Sequence, residues 1–245
     1  MATTNNSNKK TIVLITGGNA GIGYETVKSL CSSHAATHHI LLSARSMAKA
    51  EAAISSLGSP ANVTPLQLDV SDDASISAAA EEVTRSYGRL DVLIHNAGIA
   101  SRPVAELSTR AKFETVYNTN TIGPYVLTEA MEELLDKSAE PRVVFVSSTL
   151  GSIALTQEDY PCPPIPWYSS SKAAMNYLAA YYARMKPKWH SNAVCPGLNA
   201  TALNGLELTD ELHPRNGAII VARMAADPKA TETGKFLNRE KTIVW

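Results

Sequence analysis

The segment Thr16-Gly17-Gly18-Asn19-Ala20-Gly21-Ile22-Gly23 places four glycines within eight positions, directly after an apolar run and directly before a stretch of helical character. Glycines at such a turn let backbone N–H groups approach a pyrophosphate closely, while the helix N-terminus adds partial positive charge. Gly17, Asn19, Gly21, Ile22 and Gly23 are therefore expected to meet a dinucleotide. The spacing, TGxxxGxG, differs from the GxGxxG fingerprint but answers the same physical need. About 20 residues further on, where an acid would hold the ribose hydroxyls of NAD, the chain reads Leu42-Ser43-Ala44-Arg45-Ser46 and offers no acid. The planar fork of Arg45 suits a 2′-phosphate, which points to NADP(H) as the cofactor. A third pair, Tyr168 and Lys172, stands one helical turn apart. Many helices carry that spacing by chance, so its meaning depends on context.

These residues need elements to position them. Short apolar runs alternate with helical stretches along the chain: Thr11–Thr16, His39–Ala44, Val63–Leu68, Leu90–His95, Arg142–Ser147 and Ser191–Val194 read as strands, and 21–34, 47–57, 72–87, 107–136 and 167–186 as helices. The runs are nearly continuous in apolar residues, as strands covered on both faces must be. Right-handed crossovers wind such units into a doubly wound parallel α/β sheet of Rossmann type, with ligands bound just beyond the strand ends. No repeat or composition break interrupts residues 11–245, which are expected to form a single dinucleotide-binding catalytic domain. Residues 1–10, MATTNNSNKK, read as a flexible N-terminal tail too polar to offset the entropy of ordering.

Composition narrows the function further. Of 245 residues 44% are hydrophobic and 18% charged, with 22 Lys+Arg against 23 Asp+Glu and a net charge of −1. A chain of this length buries roughly 70–75% of its unfolded surface and needs no disulfide or metal staple. The balance lacks the basic face that nucleic acid requires, so no nucleic-acid partner is expected. No segment approaches the roughly 18 consecutive apolar residues of a membrane span, and no apolar leader opens the chain, so a cytoplasmic protein without membrane contact is expected. Cys31, Cys162 and Cys195 are odd in number, far apart and without a CxxC pair, and read as free thiols of a reducing compartment. His34, His38 and His39 lack a carboxylate pattern, and no metal site is expected.

The ordered set of motifs resembles the short-chain dehydrogenase/reductase family over residues 11–245. Besides TGGNAGIG it comprises Asp69-Val70, His95-Asn96-Ala97-Gly98, Asn120-Thr121-Ile122-Gly123, Ser148, Tyr168-Ser169-Ser170-Ser171-Lys172, and Pro196-Gly197 with Thr201. Within the family the glycine segment, SARS, GRLDVLIHNAGIA and GKFLNREKTIVW look most like the carbonyl reductases that use NADPH. The resemblance implies that Asp69 and Val70 flank the adenine and that Asn96, Ala97 and Gly98 lie beside the adenosine ribose. It also implies that Pro196, Gly197, Asn199 and Thr201 line the nicotinamide carboxamide. Asn120, Ser148, Tyr168 and Lys172 match the catalytic tetrad, with Tyr168 and Lys172 also touching the cofactor. Four features depart from the pattern. Ala20 stands where carbonyl reductases carry a Lys, and His95 replaces the usual Asn. Twenty positions separate Ser148 from Tyr168, far fewer than the long insertion of the carbonyl reductases, and the segment from Asn204 to Pro214 is short.

Hydride arriving at a carbonyl carbon builds negative charge on oxygen, and a positioned acid must supply a proton. Tyr168 is the expected donor. A tyrosine titrates near 10, and the Lys172 ammonium on the same helical face is expected to draw that value down. Ser148 can hydrogen-bond the developing oxyanion, and the resemblance gives Asn120 a water that links Lys172 to solvent. The prolines of Glu158–Pro164 lead into the catalytic helix as a rigid pocket wall, and Leu150, Trp167 and Leu203 are expected to offer apolar area to a small-molecule carbonyl substrate. The leading reading is reduction of a hydrophobic ketone or aldehyde, of natural-product type. Reduction of an alkaloid-like imine and a non-catalytic dinucleotide-binding regulator are the alternatives. Family members pair through the helices of 107–136 and 167–186, so a homodimer or homotetramer is favoured over a monomer, with Tyr177, Tyr181 and Tyr182 packing or forming that contact.

Overall fold

A computed structural model describes residues 10–158, 161 and 163–245. The expected tail therefore lies, except for Lys10, outside the described residues, as does Cys162. The strands are β1 (Thr11–Ile15), β2 (His38–Ala44), β3 (Val63–Gln67), β4 (Val92–His95), β5 (Arg142–Val146), β6 (His190–Val194) and β7 (Phe236–Leu237). The helices are α1 (Gly21–Ser33), α2 (Met47–Ser56), α3 (Asp73–Tyr87), α4 (Thr109–Tyr117), α5 (Gly123–Asp136), α6 (Ile153–Gln157), α7 (Pro166–Met185) and α8 (Pro214–Ala226). All seven strands are parallel in the order β3-β2-β1-β4-β5-β6-β7. This is a single Rossmann-type domain. Strand order reverses between β1 and β4, which places the ligand crevice at their C-terminal ends.

The apolar runs fold as strands because they serve two cores at once. On β1, Leu14 packs with α3, α5 and α7 through Ile76, Met131 and Met175. Its neighbours Val13 and Ile15 pack with α1 and α8 through Val27, Leu30, Ile220 and Val221. β5 alternates likewise, with Val143 and Phe145 on the first face and Val144 and Val146 on the second. This two-residue period on both covered faces is why no polar position interrupts the runs.

The structure adds three features to the sequence reading. The stretch read as one helix over 107–136 is α4 and α5 joined by a π-helical turn, Asn118–Ile122. Gly123 opens α5 because a Cβ there would overlap the Val70 carbonyl. β7 has only two residues, too few for a hydrophobic period. After β7 the chain turns back, with Ile243 N–H donating to the Phe236 carbonyl at 2.7 Å and Trp245 stacked on Phe236 at 5.7 Å. Its last carbonyls brace α6: Val244 accepts from Ser152 Oγ at 2.8 Å and Trp245 from Ala154 N at 3.0 Å.

Candidate active site

The glycine loop leaves β1 and enters α1 with Gly17 and Gly21 at φ 64° and 55°, a region where L side chains are strained. A Cβ on Gly23 would overlap both the Gly17 carbonyl and the Asn96 amide. Ala20, the N-cap of α1, supplies no capping hydrogen bond, and the helix has no acid in its first turn. Its first amides are therefore left for an external acceptor. An uncapped, acid-free helix start behind a glycine cradle fits the pyrophosphate of a dinucleotide.

The loop's shape is held from β4. Thr16 is buried, and its hydroxyl accepts from Asn96 N and Ala97 N, each at 2.9 Å. Asn96 Nδ2 donates to the carbonyls of Thr16 at 2.8 Å and Gly17 at 3.2 Å. The side chain of Asn96 is thus spent on the cradle itself. His95, fully buried, stacks on Phe145 at 4.7 Å, and its Nε2 lies 2.8 Å from Thr128 Oγ1. Because the Thr128 hydroxyl donates to Pro124 O at 2.7 Å, His95 is the donor and carries its proton on Nε2. Burial pushes its pKa down to about 3.

On the far side of the loop, exposed Arg45 follows β2 and has no hydrogen-bond or ion-pair partner for its guanidinium among the described residues. Asp69 accepts from Ser71 N and Ser71 Oγ at 2.9 and 2.6 Å, which fixes the turn after β3, and Val70 is buried in the lower core.

α7 carries Tyr168 and Lys172. Its buried stripe runs Tyr168, Ser171, Lys172, Met175, Asn176, Leu178, Ala179 and Tyr182, a helical period that aims Tyr168 and Lys172 inward together. Ser148, just past β5, hydrogen-bonds the Tyr168 phenol and accepts from Leu150 N at 3.2 Å. Gly151 makes this approach feasible, since a Cβ there would sit 2.6 Å from the Lys172 backbone carbon. Cys195 Sγ accepts from Thr149 N at 3.3 Å and braces the same turn. Lys172 Nζ donates to the Val146 carbonyl at 2.8 Å and lies 5.7 Å from the Tyr168 ring centroid.

The titration differs from the sequence expectation. Burial raises the Tyr168 pKa to about 12, against the lowering effect of the Ser148 hydrogen bond, and lowers Lys172 to about 8. The ammonium is held over the ring face and by a carbonyl, so desolvation wins for both groups.

Asn120 sits in the π-helical turn, fully buried. Its Oδ1 accepts from Ile99 N at 2.9 Å, and its Nδ2 donates to Ile99 O at 2.8 Å and Ser171 Oγ at 3.0 Å. Asn120 Oδ1 and Lys172 Nζ both lie within 3.5 Å of where a Gly98 Cβ would be. Pro196, Gly197, Asn199 and Thr201 follow β6. Asn199 Nδ2 donates to the carbonyls of Pro196 and Gly197, and its Oδ1 accepts from Gly217 N at 3.1 Å.

A cavity of about 420 Å³ joins these groups. Ser148, Tyr168 and Lys172 form its polar floor, and Leu150, Ile165, Leu198 and Leu203 its apolar walls. Trp167 departs from the expected pocket lining. It packs edge-on against Phe113 at 6.4 Å with Lys112 over its ring, on the α4 side of α7. A larger groove of about 730 Å³ runs along α4, lined by Ser71, Phe113, Tyr117 and Ile122, away from Tyr168 and Lys172. Among the described residues no three His, Cys, Asp or Glu side chains converge on a metal position. No described helix is long and apolar enough to cross a membrane.

The family model for the short chain dehydrogenase matches residues 11–212. A short-chain dehydrogenase/reductase of Stachybotrys chlorohalonatus is 34% identical over 241 residues, covering 93% of this chain and 87% of its own. Among solved structures, the NADPH-bound carbonyl reductase from chicken fatty liver superposes with a TM-score of 0.82 at 27% identity, covering 96% of this chain and 99% of its own. Salutaridine reductase from Papaver somniferum gives 0.78 at 26%, covering 93% and 99%. The chain belongs to the short-chain dehydrogenase/reductase family, and it is an oxidoreductase that binds a nicotinamide dinucleotide.

Proposed function

We propose that this enzyme is an NADPH-dependent carbonyl reductase acting on a hydrophobic ketone or aldehyde of natural-product type. The observation that carries the reading is the Tyr168 phenol, held protonated by burial, hydrogen-bonded to Ser148 and opening onto an apolar cavity. When bound, the cofactor supplies hydride at its nicotinamide. The chain supplies the rest. Ser148 hydrogen-bonds the carbonyl oxygen, which sharpens as charge develops there. Tyr168 Oη gives that oxygen its proton, and a phenol near 12 is fully protonated at neutral pH and ready to donate. Lys172, near 8, remains mostly charged at neutral pH, and its positive charge stabilises the phenolate as it forms. Asn120 holds the Ile99 backbone and Ser171, which fixes α7 against the loop after β4.

Arg45, exposed and unpaired at the end of β2, supports the 2′-phosphate as the feature that selects NADPH. The similar carbonyl reductase from chicken fatty liver binds NADPH, in agreement with this. The same reading takes the protein as cytosolic, and the outer faces of α5 and α7, where Tyr125 and Tyr177 are exposed, as the contact between copies. Melting the protein alone, with NADPH and with NADH tests the cofactor assignment, because a ligand bound only by the native state raises stability as RT ln(1 + [L]/Kd). A larger rise with NADPH that Arg45→Ala abolishes is expected. An equal or larger rise with NADH overturns it.

A further inference from the structure

The cavity above Tyr168 has an unbalanced charge. Its described lining holds two cations, Lys172 on the floor and Arg102 at the rim, and no Asp or Glu. Lys172 is occupied by the Val146 carbonyl. The exposed Arg102 guanidinium has no hydrogen-bond or ion-pair partner among the described residues, while its backbone is firmly placed. Arg102 opens a one-turn 3-10 helix, Arg102–Val104, pinned by Pro103 and by fully buried Val104. Its guanidinium lies across the backbone of Gly205, where a Cβ would overlap it. Gly205 is itself set at φ 67° by its N–H bond to the Thr201 carbonyl at 2.8 Å. Asn204 braces this turn through its Oδ1 to Thr201 N and Leu206 N and its Nδ2 to Asn199 O. An unpaired planar cation at the rim of a cavity walled by Leu150, Leu198 and Leu203 suits a planar anion on an apolar frame.

We propose that the substrate carries a carboxylate in addition to its carbonyl group, and that Arg102 binds it. This rests on the reductase reading and specifies its substrate class as hydrophobic keto acids. The anionic cofactor is the rival occupant. Arg45 follows β2 and Arg102 follows β4, on opposite sides of β1, which separates Arg102 from the cation assigned to the 2′-phosphate; the NADP+ affinity of the Arg102 variant decides for the rest of the cofactor. Arg102 shares its side with Ser148 and Tyr168, and its seat is the loop carrying Leu203 and Asn204. Asn204 and Leu203 line the same cavity as the reactive phenol.

The test is calorimetric binding to the enzyme loaded with NADP+, using para-acetylbenzoate and its methyl ester, for wild type, Arg102→Gln and Arg102→Lys. Arg102 is exposed, and a melt verifies each variant's fold. Wild type is expected to bind the acid about tenfold or more tightly than the ester, Arg102→Gln to lose that preference, and Arg102→Lys to keep part of it. Equal affinity of acid and ester in wild type overturns the proposal, as does a preference that survives Arg102→Gln. Weakened NADP+ affinity in Arg102→Gln, with the acid preference intact, gives the cation to the cofactor and also overturns it. Binding needs no turnover, so failure of the reductase reading appears separately, as absence of NADPH consumption with either compound.

Discussion

Lys172 holds its ammonium 5.7 Å from the centroid of the Tyr168 ring and donates to the Val146 carbonyl, not to the phenol. In this arrangement both side chains are pushed toward neutrality, Tyr168 to about 12 and Lys172 to about 8.

The lowered lysine has a consequence for stability. Between about pH 8 and its ordinary value of 10.5, the unfolded chain keeps a proton that native Lys172 has released. Stability therefore rises with pH across that window, while raised Tyr168 acts in the opposite direction only above pH 10. Urea melts from about pH 7.5 to about pH 9.5 should show a rise of about 1–2 kcal/mol in wild type that Lys172→Met lacks. Parallel slopes in the two proteins contradict this.

His95 works from the acid side. Its native pKa of about 3 lies below the ordinary 6.5, so below pH 6.5 the unfolded state takes up a proton that the native state refuses. Stability falls on acidification by about 1.4 kcal/mol per pH unit from this group. His38, near 4, adds a loss of the same sign. His95→Gln, which keeps a donor toward Thr128, should remove about one proton's worth of slope between about pH 4.5 and pH 6. An unchanged slope would show that His95 titrates normally.

Gly23 and Gly58 separate close approach from backbone strain. Gly23→Ala meets the Gly17 carbonyl and the Asn96 amide, so it should cost about 1–3 kcal/mol and abolish the melt shift produced by the cofactor. Gly58, at φ 82° with nothing within 4 Å of a Cβ, should cost about 1–2 kcal/mol as Ala and leave that shift intact. Thermal melts with and without NADPH distinguish the two. A retained shift in Gly23→Ala contradicts the cradle.

Trp167 faces α4, so Trp167→Ala should destabilise the fold by about 1–2 kcal/mol through its lost contact with Phe113. Its effect on preference among carbonyl substrates should be no more than about twofold, as read from ratios of kcat/KM. A large change in preference would return Trp167 to the pocket.

The residues legible in the sequence were those whose position follows from local periodicity. The glycine loop sits at a strand-to-helix turn, and Tyr168 and Lys172 share the buried stripe of α7. Trp167 was misplaced because one residue on a helix is a rotation of about 100°, which turns it from the cavity toward α4. The Tyr168 titration was misjudged because spacing shows proximity of charge but not the depth of burial. Arg102 carried no signal, since its seat on Gly205 joins segments a hundred residues apart with no repeat or motif. Gly123 and Gly151 are explained only by the backbones they touch, those of Val70 and Lys172. β7 gains its strand character from β6 and from the chain that turns back onto it.

In the proposed reaction Tyr168 protonates a carbonyl reduced at the expense of NADPH. Its most direct test is the rate of NADPH consumption with a panel of aryl and alicyclic ketones, for wild type and Tyr168→Phe, alongside the melt shift each protein shows with NADPH. Wild type should turn over at least one ketone and Tyr168→Phe should lose about a thousandfold, with the NADPH melt shift retained. Undiminished turnover in Tyr168→Phe, or NADPH binding by wild type with no ketone consumed, would contradict it.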